Sequence, residues 1–200
     1  DFDLAAAAGQ WRAHQLVQGT INMARIATET QNASRAFSRL DGAPDLLNSI
    51  REATKGTVSD VELMRAALTG IDLGATNEQI ETFAEFARFE ALRKGGNQLQ
   101  ILQNILGGVL RGSTELLDNF GLSLTQVNGK IEELADQSGT SASKLSQVER
   151  RTLMVEAAME LMNERMEESD EVGLTDAEKI DRAAASWDNL VRSFGGLTAA

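Results

Sequence analysis

The chain has 200 residues, a net charge of −11, one proline, no cysteine, and 42 % apolar residues of which few are aromatic. That length can bury one sizeable core or two small ones, and the apolar share excludes a disordered composition. The absent thiols exclude disulfides and thiolate metal sites, while the acidic balance argues against a phosphate-neutralising grip on DNA and gives no sign of sequence-specific nucleic-acid binding.

Scarce proline, abundant Ala and straight-chain residues favour helix over sheet. The first residue is Asp1, with no charged-then-apolar signal segment after it, so the chain reads as a segment of something longer or a processed product. Leu16, Gly19, Met23, Ile26, Thr30, Ala33, Phe37 and Leu40 alternate steps of three and four, one stripe of a helix. Pro44 should stop that helix near Asp41–Gly42, because it disfavours helical geometry at Ala43 and lacks an N–H. Residues 1–42 therefore read as an N-terminal helix serving as coiled coil or linker, and 45–197 as a compact helical unit.

Within that unit a short helix spans about Asp45 to Lys55, with Gly56 as its stop. Ser59-x-x-Glu62 is a capping box, opening a helix that should end near Thr69–Gly70. Thr76-x-x-Gln79 is a second box, opening a helix to about Lys94 with Ile80, Phe83, Ala84, Ala87 and Ala91 on its apolar face. Gly95–Gly96 should end it, and Asn97 should cap the next, whose face carries Leu99, Leu102, Ile105, Leu106 and Val109. Gly107–Gly108 inside this pattern predicts a kink or a close helix approach. Ser113 can cap a short helix ending at Gly121, although Glu115 falls one residue short of completing a box.

Residues 122–134 are ambiguous. Leu122 and Leu124 alternate as in a strand and Asn128–Gly129 is a hairpin turn signal, so a small β-hairpin and an irregular loop both fit. The clearest helix runs from about Ser143 to Glu168. Its Leu145, Val148, Thr152, Val155, Met159, Met162 and Met166 keep coiled-coil spacing, and the methionines make the seam adaptable. Val148, Val155, Met159, Met162 and Met166 are thus the candidate seam for self-association. The acidic run from Glu164 to Glu171 reads as a solvated face and linker. Thr175-x-x-Glu178 is a third box, before a helix with Ala177, Ile180, Ala184, Trp187, Val191 and Phe194 on one stripe, closed by Gly195–Gly196; Trp187 is expected in a core, with a seam between chains as the alternative. The expected fold is all-α, with seven or eight helices and heptad-patterned helices at both ends.

No catalytic or metal centre stands out. His14 is the only histidine, and no Ser–His–Asp or Cys–His set can be assembled. Thirty acids offer many carboxylate pairs, so one such as Glu81 with Glu85 carries no information. The Asp72 loop has Gly74 and Phe83 where a calcium loop needs oxygen ligands. Gly107 to Gly112 lacks the ending of a phosphate loop. Arg111, set between glycines, reads either as an anchor for a partner or as a surface pair with Glu115. Leu99 to Leu110 is the longest apolar-rich run, but Gln100, Gln103 and Asn104 interrupt it and a membrane span needs about 20 residues. No cofactor is implied.

One ordered set of residues is more specific. Arg111, Gly112, Leu116, Leu117, Asn119 and Gly121 form an Arg-Gly-x-x-x-Leu-Leu-x-Asn-x-Gly pattern. Leu145, Ser146, Glu149 and Arg150 form a later helix entry, and Ala185, Ser186, Trp187, Asn189 and Leu190 a final segment. From Thr57 to about Leu197, in order and spacing, the chain resembles the core region of the tail tape measure proteins of long-tailed bacteriophages. The resemblance implies a structural, non-enzymatic role: setting tail length, organising tube assembly and leaving the tail at DNA ejection. It also implies tail tube and tip proteins, tail assembly chaperones and self-association as partners. The implied location is the virion tail lumen, with the host cytoplasm during assembly and a membrane met only at ejection. The alternatives from other classes are a helical peptidoglycan hydrolase and a helical adaptor or chaperone-like binding module.

Overall fold

A computed structural model describes residues 28–168 and 176–197. Among them every regular element is helical: α1 (28–37), α2 (Ala43–Ala53), α3 (Asp60–Asp72), α4 (Asn77–Lys94), α5 (Gln98–Val109), α6 (Thr114–Asn119), α7 (Leu124–Gln137), α8 (Gln147–Glu167) and α9 (Asp176–Leu197), with a 3₁₀ turn at Ala142–Lys144. The all-α expectation holds, with nine helices among the described residues instead of seven or eight. Leu16, Gly19, Met23 and Ile26 lie outside those residues, as do His14 and Thr175.

The helix starts follow their sequence signals. The Ser59 N–H and hydroxyl both reach Glu62 Oε2, at 3.4 and 2.6 Å. Thr76 and Gln79 exchange reciprocal bonds of 3.0 and 3.2 Å, and Asn97 Oδ1 accepts from the Gln100 N–H at 2.9 Å. Each satisfies N–H groups that a helix start leaves orphaned. Pro44 sits in the first turn of α2, where its missing N–H costs nothing, so α2 starts two residues earlier than expected.

Four expectations need correction. Residues 122–134 form neither hairpin nor irregular loop but most of α7. Ser123 and Gln126 make a capping box, with bonds of 3.0 and 3.3 Å, and Val127, Ile131 and Leu134 bury a helical stripe that outweighs the Asn128–Gly129 turn signal. Gly70 does not stop α3, which continues to Asp72. It is instead a close-packing point, where an added Cβ would lie 3.0 Å from Ile80 and 3.2 Å from Leu106. Gly195–Gly196 does not close α9, which runs to Leu197. Helix α8 begins at Gln147, four residues later than expected, because Ser146 and Glu149 form the box that starts it.

The core is built around α4. Ile80, Phe83, Ala84, Phe86 and Ala87 are all fully buried, so α4 hides more than one stripe, and it packs against α2, α5 and α8. The Phe86 ring meets Phe120 edge-on at 6.2 Å. Phe37 of α1 and Leu46 and Ile50 of α2 belong to the same core as Val155 and Met162 of α8. Fully burying each such side chain contributes about 1.5–3 kcal/mol.

One charge enters that core. Glu90 is 1 % exposed, with Arg93 Nη2 at 2.8 Å, Lys94 Nζ at 2.9 Å and Arg165 Nε at 3.7 Å. Arg165 also donates to the Gly121 carbonyl at 3.2 Å, and Lys94 to the Asn119 carbonyl. The buried carboxylate thus ties α4 to α8 and to both sides of the α6–α7 turn. Removing the carboxylate would take from the three cations the partner they share and loosen these junctions.

Candidate functional site

Helices α3 and α5 run in the same direction. Ser59 at the cap of α3, Glu62 of α3 and Gln98 and Leu99 of α5 line one cleft of about 300 Å³ whose other wall is Asp181, Ala184, Ala185, Asp188 and Arg192 of α9. The far ends of α3 and α5, Leu73–Gly74 and Leu110–Arg111, line another. That second cleft has two lobes. One, of about 590 Å³, is bounded by Leu73, Arg111, Gln147, Val148, Arg151 and Val155. The other, of about 450 Å³, adds Leu124, Val127, Asn128, Ile131, Arg150 and Met154. Among the described residues, no Asp or Glu lines either lobe. In a chain of net charge −11, three arginines with no lining acid make a local positive field.

Each arginine is placed for a stated reason. Arg151 donates through Nε to the Leu110 carbonyl at 2.7 Å, and through Nη2 to the same oxygen. It satisfies a carbonyl left over at the end of α5, the end a helix dipole makes negative. Arg150 donates to Asn128 Oδ1 at 3.3 Å across α7. Arg111 follows the C-terminus of α5, exposed, with no ion-pair partner among the described residues. Of the two sequence readings of Arg111, the pair with Glu115 falls on a side chain outside the described set. The apolar walls are unusually open, with Val148 75 % and Leu124 48 % exposed.

Below the arginines, Ser146 caps α8 and Glu149 closes the box at 2.8 Å. The Ser146 hydroxyl, and then its backbone N–H, hold the Glu149 carboxyl below the ordinary value of 4.5. Lys130, further along α7, is pushed up by Glu160 first, then Glu164 and Glu133, in a surface pairing of α7 with α8.

The remaining motif residues hold the frame. Gly112 (φ 81°) and Gly121 (φ 71°) occupy left-handed positions that a side chain would strain. Each lets the following N–H turn back, Ser113 to Gly108 O at 2.9 Å and Leu122 to Leu117 O at 3.0 Å. Leu117 is fully buried, and Leu116 packs onto Gly108, where an added Cβ would lie 2.5 Å from Leu116 Cδ1. This is the close approach that the Gly107–Gly108 pair predicted. Leu145 packs partly buried against the core.

The candidate oligomer seam is used within the chain. Val155 and Met162 are buried in its core, Met159 and Met166 pack against it, and only Val148 of the five stands out in solvent. Thr152 of the same stripe is also exposed, and the buried positions of α8 include Met154, Ala157 and Ala158, which the stripe leaves out; the helix packs against α7 and α4 of the same chain.

Helix α9 reverses the expected arrangement. It attaches to the body through polar groups: Glu178 to Arg88 Nε at 2.8 Å, Asn189 Oδ1 accepting the Asp60 N–H at 3.0 Å, and Arg192 to Thr30 Oγ1 at 3.2 Å. Ser186 bonds only back to the Arg182 carbonyl, at 2.8 Å, and Ala185 is buried. Of the expected apolar stripe, Ile180 is 70 % and Trp187 66 % exposed, and the neighbouring Leu190 is 43 % exposed; the side chains of Ala177, Val191 and Phe194 lie outside the described set. Trp187 therefore does not pack in a core.

Sequence reasoning singled out Arg111, Arg150 and Val148 and missed Arg151 and Leu124. The signal for Arg151 was the adjacent pair Arg150–Arg151 near the start of a helix, where the dipole disfavours cations. Leu124 was absorbed into the hairpin reading. For the Glu81–Glu85 pair, Glu85 is pushed up by partial desolvation first and by Glu81 second; it lies on the surface of α4 away from both clefts. No described group of three or more His, Cys, Asp or Glu could hold a metal ion, and no described helix is long and apolar enough to cross a membrane. No family model and no solved structure matches the chain.

Proposed function

We propose that this chain is a compact helical segment of a phage tail tape measure protein, a structural part without catalysis of its own. The observation that carries the reading is the ordered motif set from Arg111 to Leu190. Its members have mechanical tasks in this fold: two left-handed turns at Gly112 and Gly121, a helix entry at Ser146 and Glu149, and a cap supplied by Asn189 to α3. A recurring pattern spent on turns, caps and helix junctions suits a part that must keep its shape. The arginine cleft and the α9 face are then where tail tube, tail tip or assembly-chaperone proteins, or other copies, would be met. The working location is the tail lumen, reached from the host cytoplasm during assembly.

Mass spectrometry of purified particles before and after triggered DNA ejection tests this. The reading predicts peptides of this chain in intact tails and their loss from emptied ones. Absence from intact particles, with the chain free in the host lysate, would contradict it and favour an adaptor.

A further inference from the structure

The two lobes of the arginine cleft share Arg111, Gln147 and Arg151, which line both of them. These polar side chains divide one apolar hollow from another. Leu73, Leu110, Val148 and Val155 wall the larger lobe; Leu124, Val127, Ile131 and Met154 wall the smaller. Val148 and Leu124, one for each lobe, are exposed. The guanidinium groups keep donors in reserve, since each has five N–H groups. Arg150 bonds the Asn128 amide oxygen and Arg151 the Leu110 carbonyl. Neither bond neutralises a charge, and Arg111 has no ion pair with a described side chain.

We propose that this cleft binds an acidic amphipathic helix of a partner protein, with two apolar side chains of that helix in the two lobes and a carboxylate between them beside Arg111. The proposal rests on the reading above in treating the cleft as a meeting place for proteins, and it adds the chemistry of the segment that is met.

Charge selects the occupant. Among the described residues no Asp or Glu lines either lobe, so an arriving carboxylate meets guanidinium and amide donors, and Arg grips a carboxylate with two parallel bonds. A free anion would leave Val148 and Leu124 in water, whereas an apolar side chain beside the acid covers them. Nucleic acid fits less well. No described aromatic side chain lines either lobe for a base to stack on, and a net charge of −11 repels a phosphate backbone. An acidic helix meets that repulsion too, but the burial of its two apolar anchors offsets it. The segment is a helix because every regular element among the described residues is helical, a surface of grooves with no sheet edge for a strand to extend. A helix in a groove is read through anchors at spacings of three, four and seven. Anchors seven residues apart share one face about 10.5 Å apart, with room for the acid between them.

Fluorescence anisotropy of labelled synthetic peptides against the full chain tests this. The probe is an acetylated, amidated Ala-based helix of about 15 residues, with two Leu seven positions apart and a pair of Glu midway between them. One control peptide has Lys for both Glu, and another has Ser for both Leu. Arg111→Glu with Arg150→Glu reverses two charges of the cleft and leaves Arg151 on the end of α5. Val148→Glu spoils one apolar wall without touching an arginine. All three side chains are exposed, and circular dichroism confirms folding. The expected result is saturable binding of the Glu peptide to the wild type. Binding should weaken at least about tenfold for either control peptide and for either variant, the scale of one lost charge-assisted bond. The arginine variant should prefer the Lys peptide. Equal binding of the Glu and Lys peptides overturns the proposal, as do variants that bind like the wild type. A single-stranded oligonucleotide that binds more tightly than the Glu peptide also overturns it and assigns the cleft to nucleic acid. So does a wild type that takes no peptide but self-associates in sedimentation through the same arginines, which assigns the cleft to a second copy. A wild type that does neither overturns it as well, and leaves the tape measure reading to stand or fall on the particle mass spectra.

Discussion

Two neighbouring glycines of α5 have opposite roles. A Cβ at Gly108 would lie 2.5 Å from Leu116 Cδ1 and 2.8 Å from Leu116 Cβ, whereas a Cβ at Gly107 meets nothing within 4 Å. Gly108→Ala is expected to destabilise the fold by about 1–3 kcal/mol through overpacking, and Gly107→Ala to stabilise it by about 0.5–1 kcal/mol by restricting the unfolded chain. Urea unfolding of both variants checks this, and equal effects of the same sign would contradict it. The sequence announced an event at this pair, but not which glycine bore it, because that depends on Leu116 from the next helix. Glu149 gives a pH prediction. Its carboxyl is held below 4.5 when folded, so its stabilising contribution is present above the unfolded value and lost as pH falls through the folded one. The protection factors of the amides in the first turn of α8, taken against the intrinsic exchange rate at each pH, should fall as the Glu149 carboxyl is protonated, and Glu149→Gln, which keeps a capping acceptor, should abolish that fall.

Among the elements, starts were more legible than partners. Capping boxes at Ser59 and Thr76 are local chemistry, and they appear where the sequence put them. At Ser123 and Gln126 the same chemistry competes with the Asn128–Gly129 turn signal, yet an Asn-Gly pair tolerates a helix when Val127, Ile131 and Leu134 all have a core to reach. Periodicity identified the stripes of α8 and α9 but could not say what each faces. Val155 and Met162 of the α8 stripe enter the core of their own chain and Val148 does not, while Ile180 and Trp187 of α9 are exposed. Among its described side chains, α9 is held by the buried Ala185 and by the polar contacts of Glu178, Asn189 and Arg192. Glu178→Ala leaves Arg88 without its carboxylate at 2.8 Å, a cost of about 1.5–3 kcal/mol. Hydrogen exchange by mass spectrometry should show that loss confined to α9, with α4 and α5 unchanged. A uniform rise across all helices would contradict this account.

For the molecule as a whole, α4 at the centre, with Glu90 and its cations fastening α8 and the α6–α7 turn, makes a folded body and not a rod. The candidate site emerges only at this scale. Arg111 and Arg150 were marked separately in the sequence, and the parallel course of α3 and α5, together with the return of α8, puts them beside Arg151 in one cleft. Motif spacing along a chain holds no information about that convergence. If the body is part of a tail ruler, it adds little to the ruler's length, whereas the same residues laid out as one helix would add about 1.5 Å each. The most direct measurement is tail length by negative-stain microscopy after in-frame deletion of Gly56 to Gly196 from the parent gene. The account predicts tails of nearly normal length with poor infectivity. Tails shortened by about 210 Å, the span of that segment as a single helix, would contradict the compact body, and particles unchanged in both length and infectivity would contradict the tape measure reading itself.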